Sequence, residues 1–257
     1  MATLMTAVKT PATTKPTRRD RARATRLRIT KAAYTLFCER GYAGTTMADI
    51  GEAAGVAVQT VYFTFHTKSE LLSRAYDFAV LGEGEPDGEH LPPENQAWYA
   101  KMTAEPDVTK ALRHMVEGVG AILTRATPLD TVVRASAGSD PDTARVRAFH
   151  ERWRADGYRA MLEILCLKSA LRGGITLERA THLLLLYVGM DVYRVLVHDF
   201  GWTHDDWVDW TVATVADQVF APQREGQRER AGRPHRPLEV GGAVAGGRHG
   251  GVRSGSV

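Results

Sequence analysis

The chain is poor in cysteine, close to charge balance, and free of the familiar catalytic signatures. Its two cysteines, Cys38 and Cys166, lie far apart and outside any C-x-x-C pair, which argues against a disulfide framework and for a reducing compartment. Cys166 sits in a leucine-rich stretch and is expected to be inert. Long hydrophobic runs are lacking. The most apolar stretch, Leu183 to Met190, is interrupted by Gly189 and followed by Asp191, far short of the roughly 20 residues a membrane span needs. Residues 1–17 lack the continuous apolar stretch of a signal peptide. The expectation is a cytoplasmic protein with no membrane partner. G-x-S-x-G, Walker and H-E-x-x-H sequences are absent, and Gly82-Glu83-Gly84 lacks phosphate-loop spacing. His198, His204, Asp205 and Asp206 make a poor metal set, because the aspartates are explained as the acidic first turn of a helix. No enzymatic activity, metal or cofactor is expected. Neither β alternation nor an internal repeat is present.

What is there is ordinary globular composition, 44% hydrophobic and 25% charged over 257 residues, enough for one or two domains with real cores. The formal net charge of +3 hides an uneven distribution. Lys9, Lys15, Arg18, Arg19, Arg21, Arg23, Arg26, Arg28 and Lys31 are set against Asp20 alone. Such an arm is attracted to phosphate, and it also suits a solvated tail.

The pattern predicts an all-α fold: an N-terminal three-helix helix-turn-helix domain, then a larger helical domain. Residues 1–19 read as a disordered basic arm and 20–81 as the first domain. A Gly/Pro-rich linker covers 82–97, the second domain 98–221, and a Gly/Arg-rich disordered tail 222–257. In the first domain, Ile29, Ala32, Ala33, Leu36 and Phe37 recur at helical spacing up to Gly41. Thr46 with Asp49 starts a second helix that stops at Gly55, a third spans about Ala57 to Thr64, and a fourth follows Thr67. In the second domain, a piece near Trp98 precedes a helix from about Asp107 to Arg125, and Pro128 and Gly138 bound a short one. Pro141 opens a long helix with the stripe Val146, Phe149, Trp153, Ala160, Ile164, Leu167 and Leu171, ended by Gly173 and Gly174. Thr176 caps an apolar helix reaching about His198, and Thr203 caps the last, ending near Phe220.

Residues 45–68 carry the function. Two short helices joined at Gly55, which accepts positive φ at little cost, cross at a wide angle around Val56 and the small face of Ile50, Ala53 and Ala54. The second helix then projects outward, and the DNA major groove accommodates a helix. Ala57, Val58 and Gln59 lie at its N-terminal end, where Gln can hold adenine and Val can meet a thymine methyl. Thr60 and Tyr62 offer hydroxyls to phosphate. Thr46 and Lys68 begin the flanking helices, where anions are favoured. Phe63 and His66 complete the candidate DNA-binding set, while Ile50, Val56, Val61 and Phe65 are assigned to the core. A helical hairpin with a glycine turn is also a common structural device.

Residues 28–72 resemble the DNA-binding domain of the TetR family of bacterial transcriptional regulators. The resemblance runs through Arg28-Ile29, Phe37, Glu39-Arg40-Gly41-Tyr42, Thr45-Thr46, Ile50, Ala53-Ala54-Gly55-Val56, Thr60, Tyr62, Phe65, Lys68 and Leu71-Leu72. It departs at Ala57, Gln59 and Thr64, where the family often has Ser, Gly and an aromatic, so no operator sequence carries over. The resemblance implies a C-terminal domain that dimerises and binds a small-molecule effector.

Dimerisation needs an apolar helical surface, and the helices at about 176–198 and 204–220 are the candidates. The first is apolar nearly all round, and the second offers Trp207, Trp210, Val212, Val215, Val219 and Phe220. A monomer whose core takes in both helices is the other arrangement. Asp191 and Arg194 pair across such a dimer or lie on a solvated edge. His114, Met115, Trp153, Tyr158 and Tyr187 are the candidate effector-pocket residues, placing aromatic or polar tips on apolar helices; each also suits plain core packing. The functional expectation is a repressor that an effector releases from a palindromic double-stranded operator. The alternatives are an activator on the same scaffold, and a helical ligand-binding protein with an unused helix-turn-helix.

Overall fold

The computed structural model describes residues 17–82 and 96–222, which fall in one compact unit. The expected arm before Thr17, most of the linker and the tail beyond Pro222 lie outside the described residues. The helices are α1 (Arg18–Arg40), α2 (Met47–Ala54), α3 (Val58–Thr64), α4 (Lys68–Leu81), α5 (Ala97–Ala104), α6 (Val108–Ala137), α7 (Pro141–Cys166), α8 (Leu177–Tyr187), α9 (Met190–Tyr193) and α10 (His204–Val219). A π-helical turn, Arg194–Asp199, follows α9. Among the described residues no strand forms; Leu171 and Phe220 make an isolated antiparallel bridge.

Helix starts follow local chemistry. Thr17, Thr46 and Thr203 each accept from the backbone N–H three residues on, and Asp20, Asp49 and Asp206 reach back to close the capping box. Arg18 and Arg19, expected in the arm, open α1. Gly55 ends α2 at φ 65° and ψ 42°, the left-handed conformation that glycine tolerates best.

Three expectations for the second domain are corrected. Pro128 does not break the chain: α6 runs through it for 30 residues. An interior proline costs about 3 kcal/mol, but Ala126, Leu129, Asp130 and Val133 around it are buried, and their tertiary packing overrides the local preference. The stripe assigned to α7 is not its buried face. Thr143, His150, Tyr158, Met161, Leu162 and Leu165 are buried, whereas Phe149 is exposed and Leu167, beyond the helix, is 87% exposed. Trp153 and Ala160 of the stripe line a cavity, so α7 divides its apolar surface between core and cavity. The helix expected to reach His198 breaks at Val188–Gly189 and resumes as α9.

Two hydrophobic cores result. Ile29, Phe37, Ile50, Val61, Phe65 and Leu72 form one with Leu129 and Val133 of α6. Leu112, Met115, Leu123, Leu162, Leu184 and Trp207 belong to the other. Helix α6 is therefore the beam shared by both. By length and composition Leu177–Asp199 is apolar enough to cross a membrane, more than the shorter run read from the sequence. It is interrupted at Gly189, and Ala180, Leu184, Val188, Met190 and Tyr193 are buried in the second core.

Candidate nucleic-acid interface and internal cavity

Helix α3 is anchored by Val61, with Phe65 just past its C-terminus; both are 0% exposed. That orientation leaves Ala57, Gln59, Tyr62 and Phe63 exposed, and His66 exposed beyond the helix, while Val58 and Thr60 are half-buried. Phe63 is 86% exposed and Tyr62 52%, unusual for aromatics on a small polar helix. The Thr64 hydroxyl donates to the Thr60 carbonyl at 2.7 Å. Arg26 of α1 lies over the Phe65 ring at 4.6 Å and donates to the Thr64 carbonyl, bracing the end of α3. Arg18, Arg21 and Arg28 are exposed on α1. Cations at a helix N-terminus oppose the helix dipole, so Arg18 and Arg21 gain most from an anion nearby.

Two expected phosphate contacts are used differently. The Lys68 ammonium donates to the carbonyls of Tyr42 and Thr45 at 2.9 and 3.1 Å and lies over the Tyr42 ring at 4.1 Å. It is a strut joining α4 to the α1–α2 loop. The Thr46 hydroxyl donates to Asp49 and accepts from the Asp49 N–H, making it a cap. His66 pairs with Glu70 through Nδ1 at 3.3 Å.

The second feature is a cavity of about 270 Å³ bounded by α4, α5, α6 and α7. Of the five residues expected there, it is lined by Trp153 and Tyr158 only. Met115 is 0% exposed in the core, His114 lies 3.9 Å from Glu117, and Tyr187 packs edge-on against Trp210. Helical periodicity marks these three as apolar-face residues but does not say which gap they border. The lining also includes Tyr76, Trp98, Tyr99, Asp130, His150 and Arg154, which sequence reasoning missed. A signal was available: His150, Arg154 and Tyr158 recur every four residues on α7, a polar line beside its apolar face. Trp98 reaches the wall because residue 118 is glycine; a Cβ there would stand 2.2 Å from the indole.

The cavity is wired to the helix-turn-helix through α4. Tyr76 stacks on His150 at 4.5 Å, and Ser73 lies 3.3 Å from His150 Nε2. The Tyr76 hydroxyl donates to Asp130 at 3.0 Å. Burial, reinforced by the Asp130 charge, pushes that phenol well above its ordinary range, so it stays a protonated donor. Asp130 in turn holds Arg134, which pairs with Asp191 at 2.9 Å. Asp191 therefore pairs inside the chain and Arg194 pairs with Asp199, all on exposed side chains, which fits the solvated edge of the two expected arrangements. At the other end of α4, Arg125 donates to the Ala79 and Val80 carbonyls, and the Arg125 carbonyl accepts from Tyr34 of α1.

The helices expected to dimerise turn part of their apolar surface inward. Trp207, Val212, Val215, Val219 and Phe220 are buried in the chain's own core. What α8–α10 present outward is Leu186 at 53% exposure and Phe200 at 70%, with half-buried Tyr187, Trp202 and Trp210. Among the described residues, no group of three His, Cys, Asp or Glu side chains could hold a metal.

Comparison with known proteins adds an independent line. Residues 29–75 match the model of the bacterial regulatory proteins, tetR family. Over 59 residues the chain is 42% identical to the HTH-type transcriptional regulator TtgR of Pseudomonas putida, an alignment covering 23% of this chain and 28% of that protein. Similar folds include NalD of Pseudomonas aeruginosa, the secondary repressor of the MexAB-OprM multidrug efflux pump. Its TM-score is 0.57 at 20% identity, with 77% of this chain and 98% of NalD covered. The transcriptional regulator FadR of Bacillus subtilis, solved with stearoyl-CoA, has a TM-score of 0.58 at 14% identity over 74% and 96% of the two chains. The helix-turn-helix segment of this chain, residues 29–75, belongs to the tetR family of bacterial regulatory proteins.

Proposed function

We propose that this chain is a dimeric transcriptional repressor, released from a palindromic DNA operator when a small molecule fills the cavity beside α4. The carrying observation is that α4 belongs to both sites: Lys68 at its start braces the helix-turn-helix, and Tyr76 in its second half lines the cavity. Gln59 supplies base reading and Val58 apolar contact, while Tyr62 and the α1 arginines meet phosphate. Phe63 extends the same face. Two copies meeting through Leu186, Phe200 and Trp210 would present two α3 helices, which must stand about 34 Å apart to enter successive major grooves.

An occupant of the cavity displaces Tyr76 from its stack on His150 and its bond to Asp130, tilting α4 and altering that separation. A coupling of about 1–3 kcal/mol lowers operator affinity roughly 5- to 150-fold. The work takes place in the cytoplasm, where bacterial DNA lies. The test is a mobility-shift titration of the full chain on DNA flanking its own gene, with competitor DNA present. Saturable, salt-sensitive binding that survives competitor supports the reading; binding that competitor abolishes overturns it.

A further inference from the structure

The cavity is chemically one-sided. Its body is aromatic and apolar, walled by Trp98, Tyr99, Trp153, Tyr158 and Met161. Its carboxylates are paired or exposed, whereas several of its buried N–H groups lack an acceptor. Asp130 is bonded to Tyr76 and Arg134. Glu151 pairs with Arg147 at 2.7 Å. The Tyr158 hydroxyl donates to the Val188 carbonyl at 2.8 Å. Asp156 is exposed at the rim, where solvent screens its charge. By contrast, three buried N–H groups of the lining have no acceptor, Gln96 Nε2, Arg147 Nε and Arg154 Nε, and His150 Nδ1 joins them as a donor or an acceptor according to its tautomer. The amide of Gln96 is oriented by the Trp98 indole N–H, which bonds its oxygen at 2.7 Å and leaves the nitrogen turned elsewhere. No buried oxygen of the lining is left without a donor.

Arg154 stands out further. Among the described residues it has no carboxylate partner, and it lines the cavity with its Nε buried. A buried or half-buried cation with no counter-charge favours an anion strongly, and arginine suits a carboxylate through paired N–H donors. Unmet donors disfavour a ligand that brings only more donors.

We propose that the cavity takes a small, flat aromatic acid, its carboxylate seated on Arg154 and its ring among Trp98, Trp153 and Tyr158. This assignment deepens the effector reading and rests on it for its biological meaning, but the binding chemistry is tested separately. Three isosteric probes are titrated calorimetrically into the full chain: 2-naphthoate, 2-naphthamide and 2-naphthylmethylammonium. The acid is expected to bind at least about tenfold more tightly than the amide, with the amine weakest. Arg154→Gln brings the acid-to-amide affinity ratio to within about twofold of one, and Arg154→Glu reverses the order of acid and amine. Equal binding of acid and amide, a preference for the amine, a preference that survives Arg154→Gln, or no binding of the acid at millimolar concentration overturns the proposal. Should either variant fail to fold, the ranking of the three probes on the unaltered chain decides alone. A mobility-shift assay with the same probes separates the two readings. If the amide or amine releases DNA and the acid does not, effector control stands and the acid assignment falls. If the acid binds through Arg154 but leaves DNA affinity unchanged, the assignment stands and effector control through this cavity falls.

Discussion

The surface of α3 and the cavity below α4 use aromatic residues in opposite ways. On α3, Phe63 is 86% exposed two residues before Phe65, which is 0% exposed; the buried ring fixes the helix so that the other faces outward. Around the cavity, Trp98, Trp153 and Tyr158 line a partly open space in which buried N–H groups of Gln96, Arg147 and Arg154 lack acceptors. One region holds its candidate side chains in solvent on a seven-residue helix, and the other gathers them between long helices. An open site follows from local sequence rules, whereas an enclosed one depends on how distant helices meet.

The largest effect that sharpens this comparison comes from the two phenylalanines. Phe65→Ala should lower stability by about 3–5 kcal/mol, read as a lower thermal midpoint together with lost DNA binding. Phe63→Ala should change stability by no more than about 0.5 kcal/mol while weakening DNA binding. Equal melting shifts for the pair would erase the distinction between anchor and reader.

That distinction is largely visible in the sequence. Thr46, Asp49 and Gly55 mark α2 by chemistry acting within a few residues, and the assignment of Val61 and Phe65 to the core follows from their spacing. Lys68 was legible as a conspicuous cation but not as a strut, because its acceptors, Tyr42 and Thr45, are more than twenty positions away. The second domain was less legible for the same reason. Pro128 is tolerated only because distant partners bury its neighbours, and the cavity gathers Tyr76, Trp98 and Arg154 from three helices. Gly189 interrupts the apolar run in the sequence, yet the π-helical turn after it has no local signature.

Lys68→Ala comes next in size. It removes two charge-assisted hydrogen bonds to carbonyls, so it should lower stability by about 1–3 kcal/mol as well as weakening DNA binding. A uniform loss of DNA affinity with an unchanged melting curve would return Lys68 to the phosphate backbone. Thr46→Ala should cost about 1 kcal/mol through the lost cap, seen in denaturant titration, with Thr46→Ser close to the unaltered chain.

The smallest effect is a pH dependence. Hydrogen bonds from Thr46 hold the Asp49 carboxyl below its ordinary value. A carboxylate with a depressed folded-state pKa contributes stability that is present above its unfolded value, about 4, and is lost as pH falls through the folded one. Between pH 5 and pH 2 the melting temperature should therefore fall less steeply for Asp49→Asn than for the unaltered chain. Parallel curves would remove Asp49 from the acid response.

Whether α3 reads DNA sequence is decided by selecting bound duplexes from a random pool with the full chain. The expected outcome is enrichment of a palindrome whose half-sites are centred about one helical turn or a multiple apart, with one position per half-site relaxed by Gln59→Ala. A pool that stays random after repeated rounds, or an enriched motif indifferent to Gln59, Tyr62 and Phe63 alike, would contradict it.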